Sequence, residues 1–285
     1  MGFTELDITS NFTFLTGASH AEEYVDRAAL LGLSAIAIAD ENSVAGIVRG
    51  HTRAREIARQ VKERLESELI GPPAPVAAWA AKPKVVESYP GTRERQKNGT
   101  LAPEEVEDFP DGPKAGFETR VMPPPLLDAS ATILNVPRLI PAARIVLDTG
   151  FAATALPQDR AAWGRLCRLI SRGRLRAEKG TCQLRMDDLV EFGQGLALLI
   201  HPPRGEAAQN GAHGWLQEAR RLTHRFPKDC HLLMAPRYDG QDTERFDRLV
   251  RLAADMGIQT IASASPRMHH GSRRKLADVL TAIRT

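Results

Sequence analysis

Short apolar runs alternate with amphipathic stretches along most of the chain, a pattern that predicts an α/β fold with a parallel sheet. The apolar runs predict seven strands, near 3–9, 34–39, 143–147, 152–156, 196–201, 230–234 and 258–263. Helices are predicted at 19–32, 43–66, 158–172, 186–192, 212–226, 241–256 and 274–284. Strands linked by crossover helices favour a closed or nearly closed barrel, since an open dinucleotide-binding sheet would carry a GxGxxG turn after its first strand.

The first helix carries the clearest boundary signals. Ser19 followed by Glu22 matches a capping box, and Gly32 is suited to end the helix. We therefore expect Ser19 to be the N-cap residue.

One segment breaks the alternation. Residues 70–137 are rich in proline, glycine and charge, and have no hydrophobic period. They predict a long, largely disordered insertion, with a small folded subdomain as the alternative. The expected organisation is a barrel in two parts, 1–69 and 138–285, interrupted by 70–137.

Composition is that of an ordinary globular protein, with 42% hydrophobic and 26% charged residues and a formal net charge of +3. The three cysteines are too few and too widely spaced for a disulfide framework. Neither a secretory signal nor a membrane-spanning run is evident. The chain is expected to be cytoplasmic, with no membrane partner.

Candidate chemistry lies where strands end, because active sites of α/β barrels sit at the carboxyl ends of the strands. Asp7, Asp40, Glu41 and His201 could hold a metal or act as a general base. For Asp40, capping of the following helix is the simpler alternative. None of the histidines has the spacing of a known zinc motif.

Basic residues cluster at 49–64, 168–179 and 273–275, and could contact DNA phosphates. No aromatic residues alternate with them, so a platform for stacking single-stranded bases is not indicated. Solvated helix faces are the simpler interpretation.

Three strings carry a family resemblance: TSNFTFLTGASHAEE, LNVPRLIPAARIVL and ADVLTAIR. They resemble, in order, the N-terminal PHP (polymerase and histidinol phosphatase) region of the bacterial DNA polymerase III alpha-subunit family, and within it the error-prone branch of alphaproteobacterial type. The resemblance implies a PHP-type distorted (βα)7 barrel interrupted by a long Pro-rich insertion.

Active members of that family bind a cluster of divalent metals through histidine-rich motifs. At the corresponding positions this chain has Glu5, Asp7 and Thr9 on the first strand, Asp40 and Glu41 after the second, then Arg144, Ser265 and Arg267. The resemblance therefore implies a degenerate site with no metal, no cofactor and no catalytic residue. Asp7, Asp40, Glu41 and His201 remain as residual candidate ligands.

The resemblance also implies a role in translesion synthesis, DNA repair and replication, as the scaffold or interaction domain of an error-prone polymerase. The catalytic core of such nucleotidyltransferases lies beyond the PHP region, so the chain is expected to be a fragment, a truncated gene product or a free-standing domain. Implied partners are the remainder of the polymerase, an inactive Y-family protein and DNA. The alternatives are a stand-alone metal-dependent phosphoesterase of the PHP superfamily and a basic DNA-binding module.

Overall fold

The computed structural model describes residues 3–70, 136–203 and 212–284. The chain divides into a main unit, residues 1–64 with 124–285, and a second unit, residues 65–123. Of the second unit only 65–70, the end of a long helix, are described, so the predicted insertion at 70–137 lies almost wholly outside the described residues. The fold below is that of the main unit.

Eight strands are found in the described residues: β1 Thr4–Ile8, β2 Ala35–Ile38, β3 Arg138–Pro141, β4 Ala143–Val146, β5 Ala152–Pro157, β6 Leu196–Ile200, β7 Cys230–Met234 and β8 Gln259–Ala262. The helices are α1 Ala21–Leu30, α2 Ala45–Ile70, α3 Arg160–Arg176, α4 Met186–Phe192, α5 Ala212–Arg225, α6 Asp242–Asp255 and α7 Arg274–Arg284. A short 3-10 helix, Gly271–Arg273, precedes α7. Within these ranges no helix is both long enough and apolar enough to cross a membrane.

The strands form two sheets that meet at both edges. The order in one is β1-β2-β3, all parallel, and in the other β4-β5-β6-β7-β8. At one junction the backbone N–H of Arg144 donates to the carbonyl of Asp40 over 3.0 Å. At the other, the N–H of Thr9 donates to the carbonyl of Pro266, also over 3.0 Å. The result is a nearly closed barrel surrounded by helices, which confirms the predicted fold class.

Two details of the prediction are wrong. The structure has an extra strand, β3, where none was expected. Strand β5 runs antiparallel to both β4 and β6, so the sheet is mixed. Strands β4 and β5, which have no predicted helix between them, are joined by a tight turn through Gly150, whose φ of 82° suits glycine.

The capping box is also displaced by one residue. The N-cap of α1 is His20, and its backbone N–H donates to the Glu23 carboxylate over 2.8 Å. The hydroxyl of Ser19 instead contacts Nδ1 of His269 at 2.9 Å. Ser19 therefore ties the start of α1 to the segment after β8.

Strand β2 shows how the core is divided between the two faces of the barrel wall. Because side chains alternate along a strand, Ile36 and Ile38 point outward and pack against α1 and α2, where Val25 and Ile57 are fully buried. Ala37 and Ala39 belong to a separate cluster with Ala142, Leu199 and Leu233. The inward face of β2 thus carries only small side chains, which leaves room for polar groups beside them.

Candidate functional site

The centre of the site is the carboxylate of Asp7 on β1, which is completely buried. Its Oδ2 atom lies 2.8 Å from Nη2 of Arg144 on β4 and accepts from the Ser265 hydroxyl at 2.7 Å. Its Oδ1 atom accepts from the Thr154 hydroxyl on β5 at 2.6 Å. A single carboxylate therefore joins residues of β1, β4 and β5 to the segment after β8.

These neighbours decide the charge of Asp7. Burial opposes ionisation, but the nearby His201 and Arg144, with the hydrogen bond from Thr154, outweigh it and hold the pKa of Asp7 well below its usual range. Asp7 is thus a carboxylate paired with a guanidinium that is itself only 14% exposed.

His201 follows β6 and faces the same centre. Its Nε2 atom is 2.8 Å from the Thr154 hydroxyl and 3.5 Å from Oδ1 of Asp7. Because that hydroxyl donates to Asp7, it must accept from His201, which assigns the Nε2 proton. The carbonyl of His201 accepts from the indole N–H of Trp215 at 2.9 Å, so the residue is held at both ends.

Asp40, at the end of β2, is a hydrogen-bond acceptor for the loop after β1. Its carboxylate accepts from the backbone N–H of Ser10 at 2.8 Å, the Ser10 hydroxyl at 2.7 Å and the Thr13 hydroxyl at 2.9 Å. Burial raises the pKa of Asp40, with these hydrogen bonds acting in the opposite direction. Asp40 anchors the loop after β1, whereas the sequence alternative placed it as a cap of α2.

The other candidate residues do not form a set of metal ligands around Asp7. Glu41 is exposed, while Glu5 accepts from the Ser263 hydroxyl and, at 2.8 Å, from the backbone N–H of Ala264. Glu5 thereby ties β1 to the end of β8. Thr9 is fully buried, and its hydroxyl has no hydrogen-bond partner among the residues that the structure describes.

Arg267 lies in the segment that crosses the end of β1. Its carbonyl accepts from the backbone N–H of Ala18 at 2.7 Å, and the residue is exposed. Partial desolvation, with the charges of Arg284 and Arg144, lowers the pKa of its guanidinium. Positive charge is therefore concentrated on this side of Asp7.

The donor set does not fit a divalent cation. In the described ranges, no group of three or more His, Cys, Asp or Glu side chains is placed to hold a metal. Both oxygens of Asp7 already accept hydrogen bonds, and a guanidinium nitrogen lies at 2.8 Å where a cation would bind. Repulsion between that guanidinium and a divalent ion opposes binding. The expectation of no metal remains a prediction.

A cavity of about 620 Å³ opens beside the pair. Its lining includes Arg144 and His201, the β4–β5 turn, and the first turn of α5 with Trp215. Glu218 also lines the cavity and accepts from the Thr149 hydroxyl. The lining therefore combines both signs of charge with apolar surface and selects no particular ligand.

Many residues of the predicted basic clusters are engaged within the protein. Arg53 pairs with Asp26 at 2.6 Å, and Arg176 pairs with Asp188 at 2.6 Å. Arg174 donates to the carbonyl of Asn42. These contacts reduce the charge available to DNA and favour a structural role for α2 and α3.

Sequence reasoning missed Thr154 and Ser263. Thr154 is the one hydroxyl residue in the strand AATALP, and it connects Asp7 to His201. A polar residue inside an apolar strand was the available signal. Ser263 is the last residue of the predicted strand 258–263, and its bond to Glu5 joins residues 258 positions apart.

The chain as a whole is similar to several known proteins. The curated relatives it matches include the error-prone DNA polymerases of Ruegeria pomeroyi, 38% identical, and Rhodopseudomonas palustris, 32% identical. The alignments cover 100% and 99% of this chain but only 22% and 18% of those proteins, so the chain spans about a fifth of their length.

Among solved structures, one assigned as a metal-dependent phosphoesterase from Bifidobacterium adolescentis has a TM-score of 0.48 and 10% identity, covering 94% of this chain and 87% of that one. The model of the PHP domain family matches residues 5–228, which is most of the chain. The two joined sheets and the matched residues lead to one conclusion: this chain belongs to the PHP domain family.

Proposed function

We propose that this chain is the PHP domain of an error-prone DNA polymerase, and that its barrel is a scaffold stabilised by an internal ion pair in place of a metal centre. The observation that carries the proposal is the 2.8 Å contact between Arg144 and the fully buried Asp7. Similarity to the error-prone polymerases supports the assignment to that class of enzyme.

A guanidinium can take the structural place of a metal ion, but it cannot carry out metal-dependent hydrolysis. It neutralises the carboxylate and links β4 to β1, as a structural ion could do. It has no open coordination position, so it cannot activate a water molecule as a catalytic metal does. The barrel is therefore expected to keep its shape without metal and to lack phosphoesterase activity.

In the proposed setting the domain works in translesion synthesis and DNA repair in the cytoplasm. Its partners would be the remainder of the polymerase, with the inactive Y-family protein and DNA reached through that assembly. The proposal assigns no catalytic or cofactor-binding residue to the chain. Free cysteines at positions 167, 182 and 230 are compatible with a reducing compartment.

Metal analysis of the purified chain tests the loss of the site. We expect no stoichiometric zinc, manganese or iron by elemental analysis, and no hydrolysis of p-nitrophenyl phosphate when these metals are added. One or more ions per chain, lost in Asp7→Asn together with hydrolysis, would establish the alternative, a stand-alone metal-dependent phosphoesterase.

A domain exchange tests the polymerase assignment. The chain replaces its counterpart in the Ruegeria pomeroyi polymerase, to which it is 38% identical. We expect the chimera to extend a primer past an abasic site, whereas the same polymerase carrying an unrelated domain of similar size should not. A chimera that is folded yet inactive on both damaged and undamaged templates would refute the assignment.

A further inference from the structure

The last helix, α7, carries an apolar stripe that is not covered by the described parts of the protein. The stripe consists of Leu276, Val279 and Ile283, whose spacing puts them on one face. They are 41%, 54% and 62% exposed, and no residue of α7 is buried. A helix normally turns such a face toward a core, and none of the described residues provides that packing partner here.

α7 is poorly stabilised by itself. Its eleven residues are fewer than the ~12–15 below which isolated helices are marginal in water. Its first turn has no acidic residue, and Arg274 and Lys275 place positive charge at the positive end of the helix dipole. A partner that supplies apolar surface and carboxylates would correct both deficits.

Polar contacts at its two ends hold α7 against the barrel. Before it, Arg273 pairs with Glu23 of α1. At its last turn, Arg284 donates to the hydroxyl of Thr16 at 2.9 Å. The loop that contains Thr16 also carries Phe14, which is 82% exposed. The helix is therefore positioned by its ends while its stripe faces away from the barrel.

We propose that the stripe on α7 is the docking surface for the remainder of the polymerase polypeptide, and that the receiving surface is an apolar groove bordered by acidic residues. This inference rests on the proposed function and names the surface through which the scaffold acts. The relatives are about five times longer than the matched region, so in them a large tethered partner is always present.

The size of the stripe favours a tethered partner over a second copy of the chain. Three aliphatic side chains offer on the order of a few hundred Å². A stable complex between separate proteins normally buries about 800 Å² on each partner. Within one polypeptide a small contact is sufficient, because the tether maintains a high effective concentration.

The test compares Val279→Asp with a matched control, Val250→Asp on α6, whose valine is 50% exposed. In the isolated chain, both variants should have the same melting temperature as the unsubstituted protein, since neither valine is buried. In the Ruegeria chimera, the amides of α7 should exchange with deuterium about tenfold or more slowly than in the isolated chain. Val279→Asp should remove that protection and lower the melting temperature of the chimera, while Val250→Asp should do neither.

The outcomes separate the two proposals. If the unsubstituted chimera is active but α7 exchanges equally fast in both settings, or the two variants behave alike, docking through α7 is refuted and the polymerase assignment stands. If the unsubstituted chimera is inactive, the assignment fails, and docking fails with it because its occupant is that polymerase. A dimer of the isolated chain in sedimentation, lost in Val279→Asp, would identify a second copy as the occupant and overturn the proposal.

Discussion

Nη2 of Arg144 lies 2.8 Å from Oδ2 of Asp7, across the interior of the barrel and across 137 positions of sequence. Burial of either charged side chain without the other would lower the stability of the fold. A lone guanidinium or carboxylate in this interior would lose its hydration with nothing in exchange. The ion pair therefore stabilises the fold only when both charges are present.

Removal of the charge of Asp7 should strongly destabilise the fold. Asp7→Asn leaves the largely buried guanidinium of Arg144 without a counter-charge, and we expect a loss of about 3–5 kcal/mol in the free energy of unfolding. Urea unfolding followed by circular dichroism measures it. The control is Asp187→Asn, where a 78% exposed carboxylate pairs with Arg221 and the loss should stay below about 1 kcal/mol. Equal losses in the two variants would contradict this account.

The two residues should also be coupled in a double-mutant cycle. Arg144→Met alone leaves Asp7 as a buried charge without its guanidinium, whereas Asp7→Asn with Arg144→Met removes both charges of the pair. The double variant should therefore be about 1–3 kcal/mol more stable than the sum of the single losses predicts. Strict additivity would mean that the contact contributes nothing to stability.

Acid should weaken the protein through Asp7. The pKa of Asp7 in the folded state lies below its ordinary value of 3.8, so the unfolded state binds more protons and stability falls as the pH drops. The contribution is complete above about pH 5 and is lost progressively below pH 3.8. Unfolding free energies between pH 3 and pH 7 should show a shallower acid loss in Asp7→Asn than in the unsubstituted chain.

The loop held by Asp40 should tolerate no side chain at Gly17. A methyl group there would lie 2.0 Å from the carbonyl oxygen of Ser10. Gly17→Ala is expected to cost about 2 kcal/mol or more, because the backbone must move. Gly164→Ala, in α3 with open space around it, should instead add about 0.5–1 kcal/mol. Thermal melts of the two variants should therefore shift in opposite directions.

The helices were predictable because their apolar residues recur at helical spacing, and α4 and α7 begin and end where the pattern placed them. β3 was not predictable, since its four residues RLIP are partly exposed, show no alternation and follow a proline-rich stretch. The displacement of the capping box has a similar cause: Ser19 was a good local candidate, but its hydroxyl is engaged by His269, 250 positions away.

For the site, the resemblance pointed to Asp7, Arg144 and Ser265, and the structure shows them in contact. It did not indicate which chemical group would bridge Asp7 and His201. The bridging group is the hydroxyl of Thr154. Its strand, β5, runs antiparallel to both neighbouring strands. The interior position of Thr154 therefore depends on how the strands pair, which the local sequence does not reveal.

The pairing of β2 with β3 has an evolutionary consequence. Ala35 lies opposite Arg138, and three further pairs fix the register, so the barrel determines both the point at which the chain leaves the wall and the point at which it returns. Even for a connection with no structure of its own, each doubling in length adds only about 0.6 kcal/mol of closure entropy. α2 lies within this connection and packs on the barrel through buried residues such as Ile57, so its length is constrained. Between the end of α2 and the start of β3, insertions and deletions can accumulate almost neutrally, and selection on the stability of the barrel places little limit on the length there.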